Sequence, residues 1–321
     1  MSQRPFDILI IGAGPAGLSC AIEATKAGLS HVVLDKGSVV DAIRRFPQQL
    51  IFFSTPDLLE IGGIPFVTAG FRPTRIECIK YYQSVAKYYR LDVRGGQEVK
   101  QIGKKDNTFL VETPSQQYEA RNVVIATGYF DHPNPFEVPG AHLPHVRRYY
   151  SEPYEFMGRR VVVVGGKNSA VEIALDLFRH GATVSLVHRG TKLSEGVKYW
   201  ILPDIENRIK NGEIAVYFES EVAEIHPEAV HLRGKHTRVL PCDAVFVMIG
   251  YRPNNALLHM AGVEIEAESL APVHDPETMQ TNVRGLFVAG SIAAGKYNNK
   301  IFIENGRLHG AHIVRHIKNR H

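Results

Sequence analysis

With 321 residues, 44% of them hydrophobic and 22% charged, the chain is long enough for two domains with sizeable cores. A formal charge of +4, with no Lys/Arg block, excludes a nucleic-acid footprint and points to anionic cofactors. No apolar run reaches membrane-spanning length and no basic-then-apolar leader opens the chain, so no membrane association and a cytoplasmic location are expected. The three cysteines, Cys20, Cys78 and Cys242, lie far apart. That argues against a disulfide framework, a zinc site and a local redox dithiol, so no metal is expected and a reducing compartment suits the chain.

The chain opens on Asp7-Ile8-Leu9-Ile10-Ile11-Gly12-Ala13-Gly14-Pro15-Ala16-Gly17. The apolar run reads as a buried parallel strand, and Gly12, Gly14 and Gly17 keep G-x-G-x-x-G spacing before a small-residue helix over 18–26. In that geometry Gly12 makes the tight turn, Gly14 admits a pyrophosphate to the backbone, and Gly17 lets the helix pack on the strand. Free N–H groups at the helix start then face the phosphates. A second strand over 31–34 ends in Asp35, 18 residues after Gly17, where a carboxylate binds an adenosine ribose hydroxyl.

Residues 44–63 read as irregular, with Phe53 and Ser54 placed to wall a planar ligand or to pack as an ordinary loop. The spacing predicts an amphipathic helix over 74–90, β ribbon over 93–111 broken at 105–107, and a strand over 123–128. Prolines 133, 135 and 139 mark a crossing between domains. The opening pattern then returns at Arg160, with Gly165 lying 153 residues after Gly12. A strand over 183–187 follows, ending in His188-Arg189, and 244–250 echoes 123–128. The tail reads as a strand over 283–290, a turn, and one helix over 301–317. The first sheet lacks strands of its own, so the tail returns to it. The expected architecture is α/β, with two Rossmann-like dinucleotide-binding domains: 1–128 with 248–321, and an inserted 129–247.

The two strand ends select different ligands. Asp35 favours a free ribose hydroxyl, whereas Arg189, with Lys192 and His188 beside it, favours a 2′-phosphate. FAD is therefore expected in the first domain and NADPH in the second. Lys167 stands where the second loop should carry its second glycine, and is expected to offset this by contacting phosphate. Further cofactor contacts are expected from Pro15, Ala16, Lys36, Val99, Ala126, Thr127 and Gly128 in the first domain. Gly165, Asn168, Ser169 and Ala170 are the counterparts in the second, and Gly250 and Gly290 close the set.

Ala126-Thr127-Gly128, Ile249-Gly250-Tyr251-Arg252-Pro253-Asn254 and Gly285-Leu286-Phe287-Val288-Ala289-Gly290 resemble the low-molecular-weight thioredoxin reductase family across nearly the whole chain. The resemblance implies rotating FAD and NADPH domains and a homodimer or higher homo-oligomer. Within it, the stretches 52–62, 165–170, 200–203 and 301–307 resemble the YpdA-type branch, associated with bacillithiol disulfide. By that resemblance, Lys300 and Ile301 sit near the flavin pyrimidine edge. Three positions depart from the pattern. No C-x-x-C occurs near 145–153, Ala16 replaces the branch's loop cysteine, and Ser291 replaces an acid that contacts the flavin ribityl chain. Cys20, one helical turn beyond Ala16, is the remaining candidate thiol, with a buried inert role as the alternative. His145, Tyr149, Tyr150 and Tyr199 are candidate wall or proton-donor residues, structural roles being the alternative. Glu304 and Asn305 would tune the flavin or cap a helix.

The leading expectation is an NADPH-dependent FAD oxidoreductase that passes reducing equivalents to a low-molecular-weight thiol disulfide of bacillithiol type. A ferredoxin or flavodoxin reductase, which would take a small redox protein as partner and need no cysteine, is the alternative. A flavin monooxygenase and a FAD/NADP(H)-binding sensor with little turnover complete the range.

Overall fold

The computed structural model describes residues 4–297 and 300–320. Two compact units divide the chain: Met1–His132 with Tyr251–His321, and Pro133–Gly250. The first unit runs β1 (Phe6–Ile11), α1 (Pro15–Lys26), β2 (His31–Leu34), α2 (Asp41–Arg44), α3 (Pro56–Leu59) and α4 (Arg75–Tyr88). Strands β3 (Val93–Arg94), β4 (Gln101–Lys105), β5 (Thr108–Glu112) and β6 (Gln117–Ile125) follow. The second unit holds β7 (Val146–Arg147), β8 (Arg160–Val164), α5 (Asn168–Arg179), β9 (Thr183–His188), α6 (Leu202–Lys210) and β10 (Ala215–Phe218). It ends with β11 (Ser220–His226), β12 (Ala229–Gly234), β13 (Val239–Pro241) and β14 (Ala244–Val247). The first unit then resumes with α7 (Ala256–Met260), β15 (Leu286–Val288), α8 (Ile303–Gly306) and α9 (His309–Lys318).

In the first unit the sheet order is β3-β2-β1-β6-β5-β4. Strand β6 is shared along its length. Its first half pairs antiparallel with β5, and residues 123–125 pair parallel with β15, so the C-terminal segment completes the sheet. Ile8, Leu9 and Ile10 are fully buried among β2, β6 and α1, as a parallel strand covered on both faces requires. Helix α4 starts at a capping box: Glu77 N–H donates to the Thr74 hydroxyl oxygen at 3.3 Å, and Thr74 N–H donates to the Glu77 carboxylate at 2.8 Å.

In the second unit a parallel sheet, β10-β9-β8-β14-β7, carries α5 on one face and the small antiparallel sheet β11-β12-β13 against the other. Strand β8 shows why. Val161 and Val163 join the α5 core, while Val162 and Val164 join the core under the small sheet, following the two-residue alternation of a strand.

The helix expected over 301–317 is two helices. The Ser19 hydroxyl takes the carbonyl of Arg307, which would otherwise accept from Ala311. Ala311 N–H turns to Leu308 O at 3.2 Å, and the helical ladder breaks there. The Arg307 guanidinium meanwhile donates to the carbonyls of Asp57 (2.8 Å) and Glu60 (2.6 Å), tying α3 to α8.

Candidate functional site: two glycine loops at strand ends

Around the first loop the side chains are small because main chain passes close by. A Cβ at Gly17 would lie 1.9 Å from Gly12 O, and one at Gly12 would lie 2.4 Å from Ala126 O. Gly14 is different: its Cβ would meet no atom within 4 Å, so the space above it is open. Gly14 caps α1 with extended backbone and Pro15 follows at the first helical position, where its missing N–H costs nothing. No side chain caps the helix, so its first-turn amides are left for another acceptor.

Other segments expected at this site gather on the same loop. Ala16 packs against Gly290, where an added Cβ would approach it to 2.8 Å. Gly128 neighbours the Ser291 hydroxyl, and Gly306 neighbours both Gly290 and Ile301. The Ser54 hydroxyl donates to the Glu304 carboxylate, bringing together two residues 250 apart in sequence. Asn305 caps α8: its Oδ1 accepts from Phe302 N–H at 2.8 Å and its Nδ2 donates to Lys300 O at 2.8 Å. Phe53 is exposed, with Arg72 stacked 5.8 Å from its ring. Val99 is buried beside the β4–β5 hairpin, and Thr127 is exposed at the end of β6.

Asp35 sits at the end of β2 and accepts from Ala13 N–H (2.7 Å) and Gly37 N–H (2.8 Å), one bond to each oxygen. Burial pushes its carboxyl upward, the two amides oppose this, and the neighbouring Asp41 and Asp131 add to the rise. Lys36 pairs with Asp131 at 2.8 Å instead of standing free. Arg45 bridges Asp131 and Asp41, so Asp35 faces an ion network that no spacing in the sequence indicates. Burial disfavours the Asp131 charge, but Lys36 and Arg45 outweigh it and hold the carboxyl below its usual range.

His309 was also not legible in advance. Its Nδ1 accepts from Gly290 N–H at 3.1 Å, across 19 residues. Burial, with His312 and His274 nearby, pushes the imidazole down to about 4, so it is neutral at pH 7 and fit to accept.

The thiols are withdrawn. Cys20, Cys78 and Cys242 are all free and essentially inaccessible, and burial pushes Cys20 up to about 12 and Cys242 to about 11. Burial likewise raises Cys78. A protonated thiol without access is not a nucleophile.

In the second unit Gly165 takes positive φ, and its Cβ would lie 2.4 Å from Met248 O and 3.0 Å from Ala170 Cβ. Exposed Lys167 is the extended residue before α5, which no side chain caps, and Ser169 is exposed in the first turn. Asn168 organises the loop that follows β9. Its Nδ2 donates to Gly196 O at 2.8 Å, and its Oδ1 accepts from Lys198 N–H at 2.8 Å. The His188 ring lies over the main chain of Gly166 and Gly190, leaving no room for a Cβ at either. Burial and the neighbouring Arg189 lower its pKa. Arg189 is exposed; Lys192 is exposed and paired with Glu195 at 2.7 Å. Gly250 takes positive φ beside Asn134, whose Nδ2 donates to Ile249 O at 3.0 Å.

The aromatic candidates divide. Tyr150 is buried against Phe246 and donates to Asp176, which is a core role. Tyr199 is exposed, stacked edge-on against Trp200, and Tyr149 is partly exposed. His145 is half-buried, and its main-chain carbonyl accepts from Val245 N–H at 3.0 Å.

A redox enzyme with two nucleotide loops is the class these features define, and comparison with known proteins agrees. Residues 9–290 match the pyridine nucleotide-disulphide oxidoreductase family, and the chain belongs to that family. It is 43% identical to the bacilliredoxin reductase Bdr of Bacillus subtilis, over 97% of each chain. The bacillithiol disulfide reductase Bdr (YpdA) of Staphylococcus aureus superimposes with a TM-score of 0.96 at 37% identity, covering 99% of each chain. That of Bacillus cereus gives 0.96 at 38% identity, covering 99% of this chain and all of its own. No described helix is long and apolar enough to cross a membrane.

Proposed function

We propose that the protein uses NADPH, through bound FAD, to reduce a low-molecular-weight disulfide of bacillithiol type. The observation that carries the reading is the 43% identity to a bacilliredoxin reductase along almost the entire chain. FAD fits the first loop because Gly14 leaves open space above an uncapped helix start, which suits a pyrophosphate. Asp35 keeps lone pairs for ribose hydroxyls after its two amide bonds. NADPH fits the second loop, where Lys167 and Arg189 are exposed cations at the helix start and strand end.

Bound FAD and NADPH supply the two-electron chemistry of this class. The chain's part is to hold the two nucleotides, the first by Gly14, the α1 amides and Asp35, the second by Lys167, Arg189 and the α5 amides. Ser54, held to Glu304, and His309, held to Gly290, fix the segments around the first loop. With all three cysteines buried, the route runs without a mixed disulfide on the protein. We place the enzyme in a reducing cytoplasm, in keeping with three free cysteines, and, from its resemblance to the thioredoxin reductases, as a homodimer or higher homo-oligomer.

Anaerobic stopped-flow reduction with NADPH, followed by mixing with bacillithiol disulfide, tests this. Fast reoxidation is expected. Reduced flavin that ignores the disulfide but passes electrons to ferredoxin would establish the alternative, for which the buried thiols are also suitable.

A further inference from the structure

Away from both nucleotide loops, the small sheet of the second unit brings together three side chains of a different chemistry. Glu224 and His226 lie on β11, and His231 lies on β12 directly opposite Glu224. An irregularity between Val222 and Glu224 makes this possible. Val222 and Ile225 both face the core with Val230 and Leu232. They are three residues apart, and strict alternation from Val222 would have turned Ile225 outward and both Glu224 and His226 inward. The extra residue resets the phase and turns both outward beside His231.

The three offered ligand atoms all lie within 4.8 Å of one another. His226 and His231 rings are tilted against each other with centroids 4.6 Å apart. Nε2 of His226 is shielded from solvent and makes no hydrogen bond, although Glu224 Oε2 is only 3.3 Å away. The two atoms are close but do not point along a hydrogen bond, which leaves a desolvated nitrogen in need of a partner. A tetrahedral ion with bonds of about 2.0–2.1 Å holds its ligand atoms about 3.3 Å apart. The Glu224–His226 pair already has that spacing, and the two edges to His231, each within 4.8 Å, must shorten as its ring turns toward the ion.

We propose that Glu224, His226 and His231 form a binding site for one divalent transition-metal ion of the zinc class. Two imidazoles and one carboxylate select zinc, nickel, cobalt or copper over magnesium and calcium, which prefer all-oxygen shells. Three protein ligands leave at least one position for water. The ion would clip the irregular edge of β11 to β12. Reading only cysteine spacing along the sequence misses it, because the third ligand is set by strand register.

The test is calorimetric titration of chelator-treated, flavin-loaded full-length protein with zinc chloride, beside His226→Gln, His231→Gln and Glu224→Gln. One zinc per chain is expected, with Kd raised about ten-fold or more in each variant and magnesium failing to compete. No zinc binding, or binding unchanged in the two histidine variants, overturns the proposal. Crystals of the unaltered protein soaked in zinc and measured at the zinc edge decide without relying on variant folding. An anomalous peak within about 2.5 Å of the three ligand atoms supports the site; its absence there overturns it.

Discussion

Gly14 and Gly17 stand three residues apart in one loop, and alanine at each should fail in opposite ways. At Gly17 the new methyl carbon would be 1.9 Å from Gly12 O, about 1.5 Å inside ordinary contact, and its neighbour is main chain. Helix α1 must move off β1, at a cost of about 3 kcal/mol or more, the upper end for overpacking. For a unit of this size that lowers the melting temperature of the flavin-free protein by roughly 6–12 °C. At Gly14 the backbone is extended and the methyl meets nothing within 4 Å. Loss of chain entropy in the unfolded state and a poorer helix cap nearly cancel, so the flavin-free protein should melt within about 1 kcal/mol of the original. The methyl nevertheless fills the space proposed for the pyrophosphate, and FAD affinity should fall at least about ten-fold, or 1.4 kcal/mol. Circular dichroism melts of stripped protein give the first quantity and flavin fluorescence titration the second. Gly14→Ala protein that binds FAD with unchanged affinity would refute the reasoning, because the open space would then belong to something else.

Native protein should offer no thiol to Ellman's reagent within minutes, and all three after denaturation in guanidinium; a rapidly reacting native cysteine would reopen the thiol route. Lys167→Ala and Arg189→Ala should each weaken NADPH binding about ten-fold, and Arg189→Ala should do so while sparing NADH; equal losses for both nucleotides would contradict a 2′-phosphate contact. His309 gives a pH signature. Its folded pKa, about 4, is below the unfolded value near 6.5, so the unfolded state binds the extra proton in that interval. The stabilising contribution is complete above pH 6.5 and is lost as pH falls toward 4, by at most about 1.4 kcal/mol per unit. Urea melts at pH 5 and pH 7 should show a larger loss for the original protein than for His309→Asn, and equal losses would dismiss the assignment.

Local chemistry made much of this protein legible from the sequence. Phe6–Ile11, Pro15–Lys26 and His31–Leu34 were readable as strand, helix and strand because apolar period and glycine spacing act over a few residues. Arg160–Val164 and Asn168–Arg179 repeat that logic, and the capping box at Thr74 sets where α4 begins. Resemblance along the chain added the family. What required the tertiary structure has a common cause, the meeting of groups far apart in sequence. Ser19 takes the Arg307 carbonyl and splits the final helix. Asp131 occupies Lys36, Glu304 receives Ser54, and His309 receives the Gly290 amide. Glu224 meets His231 only through the register of β11 on β12, and burial alone decides that Cys20 is an inert thiol. A sequence specifies such pairings through the whole packed chain, so no window of a few residues can display them.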